Sequence, residues 1–174
     1  MDYDRYTDWV KRSFRWIREE KDHGLPHHIQ LLGIVDAEIR GVRENHIYDG
    51  DGHPLEDEHG ILMLEHYQIK AHLWLLGAYE LVRMLSQRLR ENPEFASDES
   101  IVKVNETKRA LERVRIPLAK LEPAGRHKAT DYEVAHPGIG ELGIGWQVAD
   151  GVVIYQEELS DLLYEMLCHM RQRA

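Results

Sequence analysis

Apolar residues recur every three or four positions in five stretches of the chain, which is the spacing of one face of an α-helix. The pattern predicts helices over about residues 4–21, 28–45, 58–91, 100–121 and 156–171. Gly24 and Pro26 are expected to end the first helix. Pro117 lies inside the fourth helix and is expected to kink it, because proline removes a backbone hydrogen bond.

The third predicted helix, 58–91, contains no proline and is apolar on two nearly opposite sides. One side carries Met63, Leu64, Tyr67, Ala71, Trp74, Leu75, Ala78, Val82, Leu85 and Leu89. The other carries Leu62, Ile69, Leu73, Leu76 and Met84. Such a helix is surrounded, either at the centre of a bundle or as half of a dimer interface. Its length of about 50 Å exceeds the width of a small domain, so we expect a kink near Gly77, fraying beyond Arg88, or dimerisation.

The helical spacing stops between Glu122 and Gly143, where we expect an irregular loop. Two β-prone runs, 144–148 and 152–155, then flank an Asp-Gly turn and predict a hairpin. The predicted fold class is mainly α: a bundle of about five helices with a small C-terminal β-hairpin before the last helix. We predict a single domain over 1–174, with a helical body over about 4–121 and the loop, hairpin and final helix over about 122–172.

The charge balance narrows the classes of partner. The chain of 174 residues has 22 Lys and Arg against 31 Asp and Glu, a net charge of −9. This acidity disfavours binding to nucleic acid through phosphates, so a nucleic-acid partner is not expected. Cys168 is the only cysteine, which excludes an intrachain disulfide and favours a reducing, cytoplasmic location. No apolar run approaches the ~20 residues of a membrane span, so no membrane association is expected.

The 11 histidines raise the question of a metal site. Di-iron bundles use Glu-x-x-His pairs in mid-helix, and three such pairs occur here: Glu20–His23, Glu56–His59 and Glu133–His136. They lie at predicted helix ends or beside a proline, so we predict neither a metal nor another cofactor.

The histidines instead make the net charge of the chain sensitive to pH, since about eight would be protonated at pH 6. We therefore expect solubility or self-association to change between pH 7.5 and pH 6.

Two short motifs match known binding loops in letters but not in context. Residues 138–143 spell G-x-G-x-x-G, yet a dinucleotide site needs a strand before this motif and a helix after it. A flexible glycine loop is the expected structure. The acidic turn 49–53 starts like a calcium-binding EF-hand loop, but Pro54 replaces the required glycine and Gly60 the bidentate glutamate.

Candidate chemistry falls into two groups of titratable side chains. Glu65, His66 and Glu80 lie on the third helix, where apolar neighbours can shift the acid–base properties of a side chain. The second group lies in the long loop, where such residues often bind ligands. It comprises Arg126, His127, Asp131 and His136. We predict that the two groups line one pocket.

Two functions remain open. The two-sided third helix favours a binding, assembly or regulatory module that self-associates as a homodimer, with another protein as a possible further partner. The alternative is a small hydrolase or a HEPN-like ribonuclease that uses His and carboxylate groups. Helical HEPN ribonucleases carry an Arg followed four to six residues later by a His, and Arg18–His23 and Arg40–His46 have this spacing. Two such pairs are no more than chance produces in this composition, so whether the chain is an enzyme stays open.

Overall fold

The structure is a computed structural model that describes residues 1–15, 24–42, 58–91 and 97–170. Five α-helices account for most of the described residues, which confirms the predicted fold class. They are α1 (Tyr3–Phe14), α2 (Gly24–Ile39), α3 (Glu58–Glu91), α4 (Asp98–Lys120) and α5 (Gln156–His169). None of the helices in these ranges is long and apolar enough to cross a membrane.

The first two helices differ from the prediction at their ends. The Asp2 side chain begins α1 by accepting the backbone N–H of Arg5 at 2.9 Å. Gly24 and Pro26, expected to end the first helix, instead form the first turn of α2. Proline is tolerated there because the first N–H groups of a helix have no intrahelical acceptor. The predicted end of the first helix lies outside the described residues.

Helix α3 has the predicted bounds and packs between α2 and α4. Helix α4 begins at the Ser97 cap, whose side chain accepts the backbone N–H of Ser100 at 3.1 Å. It continues through Pro117, which is buried, and ends where Leu121 adopts a left-handed conformation with φ of 56°. A single 3₁₀ turn over Gly125–His127 follows.

The hairpin predicted before the last helix is part of a three-stranded antiparallel sheet in the order β1-β2-β3. Strand β1 (His136–Gly140) precedes the two predicted strands, β2 (Gly143–Ala149) and β3 (Val152–Tyr155). The G-x-G-x-x-G segment is therefore not a flexible loop but strand, two-residue turn and strand, with Gly140 paired to Gly143. Its glycines and Pro137 hide the strand in the sequence, since both residue types are rare in strands.

One face of the sheet packs on α3, α4 and α5 and closes the core of the described chain. Tryptophans from three different elements are almost fully buried there: Trp9 of α1, Trp74 of α3 and Trp146 of β2. The other large core residues are Ile29, Leu75, Val82, Leu111, Leu159, Leu163, Met166 and Leu167.

Candidate functional site

The outer side of α3 carries seven exposed residues separated alternately by four and three positions. This is the heptad spacing that brings one side of a helix against a partner helix. We call this surface the heptad face. It consists of Leu62, His66, Ile69, Leu73, Leu76, Glu80 and Arg83.

Four members of the heptad face are large aliphatic side chains that stay exposed in the folded chain. The exposed fractions are 62% for Leu62, 59% for Ile69, 64% for Leu73 and 37% for Leu76. A single exposed leucine is ordinary on a protein surface, whereas an aligned row of apolar side chains is a candidate interaction site. These are four of the five residues on the second apolar side that the sequence predicted; the fifth, Met84, is partly buried against the core.

The amino-terminal part of α3 contributes little to the core. No residue between 62 and 70 is buried, whereas buried residues begin at Ala71 and continue to Ser86. These nine residues are helical over about 13 Å and reach the core through Leu64 and Tyr67, which are only partly buried against it. Most of the stability of a helix in water comes from packing of one face, and this segment packs less of its face than residues 71–86 do.

Helix α2 extends the apolar surface on one side of the heptad face. The two helices run antiparallel, because Lys70 Nζ contacts Glu38 Oε2 at 2.6 Å while His28 Nε2 lies 3.3 Å from the Gly77 carbonyl oxygen. Leu31 lies between Glu38 and His28 on α2 and is 47% exposed. This register places it alongside the stretch of α3 that carries Leu73 and Leu76.

The carboxy-terminal end of the heptad face is polar. Arg83 Nε donates to Glu80 Oε2 at 2.6 Å, and both side chains are about half exposed. A groove of about 320 Å³ between α2 and α3 opens beside this pair. Leu25, Leu81 and Met84 provide its apolar lining. The heptad face thus has an apolar middle and a charged end.

The predicted candidate residues of α3 lie on or next to the heptad face. His66 and Glu80 are two of its members, and Glu65 is exposed beside it. The His66 ring meets the Tyr67 ring edge-on, with 6.1 Å between centroids. All three side chains are exposed to solvent.

The loop residue Asp131 is fully occupied by its neighbours. Its two carboxylate oxygens accept Arg113 Nε at 2.8 Å and Nη2 at 3.0 Å, and Thr130 Oγ1 donates to it at 3.0 Å. The hydrogen bonds from Arg113 hold the pKa of Asp131 below its usual value. Arg113 was not a sequence candidate, since nothing in the spacing of α4 links it to the loop. The pair fastens the loop to α4.

The other loop candidates surround this pair at the surface. His127 Nδ1 is 3.9 Å from Asp131 Oδ2, too far for a hydrogen bond, and Arg126 is exposed. His136 is exposed on β1, where its ring meets the Tyr132 ring at 5.6 Å. No hydrogen bond or ion pair between described residues joins these side chains to the α3 candidates. One pocket lined by both groups stays a prediction.

A second polar cluster, missed by the sequence analysis, joins α1, α2 and α5. Asp36 is fully buried and accepts Arg5 Nε at 2.7 Å, Trp9 Nε1 at 2.8 Å and Gln156 Nε2 at 3.1 Å. Arg40 adds ion pairs to Asp161 and, at 3.0 Å, to Glu157. Because the Asp36 carboxylate is sealed from solvent and its oxygens are occupied, the cluster is structural.

The candidate metal-ligating residues lie partly outside the ranges that the structure describes. Within the ranges that the structure describes, no group of three or more metal-ligating side chains converges. The pair Glu20–His23, the acidic turn 49–53 and Glu56 lie outside those ranges. Glu133 and His136 are both exposed. In the pair Arg40–His46, which has HEPN-type spacing, the arginine belongs to the buried Asp36 cluster, and His46 is outside the described residues.

No family model matches this chain, and no curated protein or solved structure gives a significant match to it.

Proposed function

We propose that this protein is an assembly module that self-associates by packing the heptad face of α3 against the same face of a second copy. The observation that carries the proposal is the row of Leu62, Ile69, Leu73 and Leu76 at heptad spacing, exposed by 37–64%. Burial of such a row supplies the hydrophobic driving force of helix association. The segment 62–70, which lacks buried residues, becomes supported on both sides in such a pair.

The polar members of the heptad face indicate the orientation of the two copies. A parallel pair would set Glu80 against Glu80 and Arg83 against Arg83, which is unfavourable. In an antiparallel pair centred on Leu73, His66 of one copy lies opposite Glu80 of the other, because both are seven positions from the centre. An imidazole N–H can donate to a carboxylate, so the antiparallel pair is complementary.

The size of the surface fits a homodimer. Leu62 to Arg83 spans 21 positions, or about 32 Å along the helix axis. Leu31 of α2 widens the apolar surface beside Leu73 and Leu76. A stable dimer buries roughly 800 Å² on each partner, which a helix face of this length together with an adjoining helix can provide.

The hydrolase or ribonuclease alternative has less support. A general base needs a carboxylate or imidazole within hydrogen-bond reach of substrate. The oxygens of Asp131 are taken by Arg113 and Thr130, and Asp36 is sealed inside the core. His127 has solvent access but does not hydrogen-bond to Asp131. Neither of these two carboxylates is therefore accessible as a general base.

Sedimentation equilibrium of the purified chain tests the proposal. The wild type is expected to be a dimer at micromolar concentration, and Leu73→Glu is expected to weaken association at least tenfold by placing a charge at the centre of the interface. Val102→Glu is the matched control, because Val102 is 52% exposed on α4, away from the heptad face. It should leave the mass unchanged.

Two results would contradict the proposal. One is a wild-type chain that stays monomeric at several hundred micromolar. The other is a dimer that Leu73→Glu and Val102→Glu weaken equally, which would place the interface elsewhere. Far-ultraviolet circular dichroism of both variants confirms that a change in mass does not come from unfolding.

A further inference from the structure

The outer face of the sheet, opposite the core, contains a depression with a floor of glycine. Antiparallel pairing sets Gly138 of β1 directly against Gly145 of β2. The neighbouring pair along the strands is His136 and Gln147, with Val153 of β3 beyond it. These residues line a cavity of about 270 Å³ together with Tyr155. We call it the glycine trough.

Two of the glycines in the sheet are explained by the packing of Tyr155. A Cβ atom at Gly145 would lie 2.9 Å from the Tyr155 ring, and one at Gly140 would lie 2.7 Å from its hydroxyl oxygen. Both distances are shorter than real side chains permit. Glycine at these two positions therefore lets the Tyr155 side chain lie flat across the sheet.

Gly138 has no such explanation within the fold. A Cβ atom there would meet no heavy atom within 4 Å, and its backbone does not adopt a left-handed conformation. Glycine in a strand costs stability and often marks a place where a ligand approaches the backbone. The empty space above Gly138 lies within the trough, beside Tyr155.

The lining of the trough selects the class of ligand. It contains no Asp, Glu, Lys or Arg side chain, so it offers no permanent cation for a phosphate and no carboxylate for an amine. It does offer hydrogen-bonding groups in the Gln147 amide and the His136 ring. Gln147 Nε2 makes only a long contact of 3.3 Å to the Ala149 carbonyl oxygen. A side-chain amide can pair with adjacent donor and acceptor atoms on the edge of a heterocycle.

From this geometry we propose that the glycine trough binds a neutral, planar heterocycle of one or two rings that stacks over Gly138 beside Tyr155. Its edge hydrogen-bonds to Gln147 and His136. The volume lies just below the ~300 Å³ at which pockets for drug-sized ligands begin, which fits a single ring system. The site is separate from the heptad face and does not depend on self-association.

Nuclear magnetic resonance titration of the ¹⁵N-labelled chain tests this site. Adenine and nicotinamide are the neutral probes, benzene lacks their hydrogen-bonding edge, and adenosine monophosphate adds a charge. The two neutral probes are expected to shift the amide signals of Gly138, Gly145 and the Gln147 side chain, with dissociation constants below about 1 mM. Benzene should bind at least tenfold more weakly, and the phosphate should give no gain over adenine.

Substitutions distinguish binding in the glycine trough from non-specific adsorption of the probes to the protein surface. Gly138→Val fills the space above the floor with a side chain whose Cβ meets no heavy atom within 4 Å, and it should weaken binding at least tenfold while the chain stays folded. Gly125→Val is the matched control, because Gly125 also has open space around it but lies in the 3₁₀ turn. Gln147→Leu keeps the volume and should reduce the preference for adenine over benzene.

Three outcomes would overturn the inference. No shift with either neutral probe at several millimolar would contradict the binding of neutral heterocycles. Shifts that persist in Gly138→Val would place the binding elsewhere. Equal binding of benzene and adenine would show that the polar lining does not recognise the hydrogen-bonding edge of the ring.

Discussion

Arg5 and Asp36, 31 positions apart in the chain, form an ion pair of 2.7 Å in which the carboxylate is fully buried. The Trp9 indole donates to the same carboxylate oxygen at 2.8 Å. Through Gln156 the cluster reaches α5, so one buried charge links the first two helices to the last. The arrangement fixes how α1, α2 and α5 meet.

Removing this carboxylate is expected to be costly. Asp36→Ala leaves the charges of Arg5 and Arg40 without their buried partner and should lower the free energy of unfolding by about 3–5 kcal/mol. Urea denaturation measures the change. Glu165→Gln, an exposed carboxylate on α5, is the control and should stay within about 0.5 kcal/mol of the wild type. Equal effects of the two substitutions would contradict a structural role for Asp36.

The packing of α1 on α2 depends on the absence of a side chain at Gly33. A Cβ atom there would lie 2.4 Å from Trp9 Cβ, and Trp9 is fully buried. Gly33→Ala should therefore destabilise the fold by about 1–3 kcal/mol despite the better helix propensity of alanine. For a chain of this size the melting temperature should fall by roughly 3–10 °C.

Gly125→Ala is the control for this substitution, since a Cβ there meets nothing within 4 Å. A melting temperature that is unchanged or higher in Gly33→Ala would show that α1 and α2 do not pack as described.

The Asp131–Arg113 pair predicts a dependence of stability on pH. Hydrogen bonds from Arg113 lower the pKa of Asp131 in the folded chain. Its stabilisation is therefore complete above the unfolded pKa of about 3.9 and disappears as the pH falls through the lower folded value. The difference in unfolding free energy between the wild type and Asp131→Asn should be constant from pH 7 to about pH 4.5 and shrink below pH 4.

Chemical denaturation at pH 7, 4.5 and 3 measures this difference. Arg113→Met should cost about 2–3 kcal/mol at pH 7, because it leaves a buried carboxylate without its charged partner. A difference that stays constant down to pH 3 would contradict the role assigned to the pair.

The sequence predicts the helices of this chain better than its polar contacts. Helix α3 is recognised because its apolar spacing continues without a proline, and four of the five residues predicted for its second apolar side lie on the exposed heptad face. Strand β1 escapes recognition because Pro137 and two glycines give it a weak strand signal. Strand β1 forms because it pairs with β2, and this pairing depends on tertiary structure rather than on the local sequence.

The residues that pair with the buried carboxylates could not be predicted from the sequence either. Asp131 lies among titratable loop residues that the sequence identifies as candidates. Its partner Arg113 lies on α4, and no spacing in the sequence connects the two residues. Asp36 is a single carboxylate among the apolar residues of α2, a position at which the sequence predicts no buried ion pair. Only the meeting of three helices identifies its partners.

We propose that the heptad face of α3 is the contact between two copies. The most direct test is a methyl nuclear Overhauser experiment on a mixture of labelled and unlabelled chains, which detects only contacts between copies. We predict intermolecular signals among the methyl groups of Ile69, Leu73 and Leu76. Their absence in a sample of dimer mass, or intermolecular signals confined to other surfaces, would contradict the account.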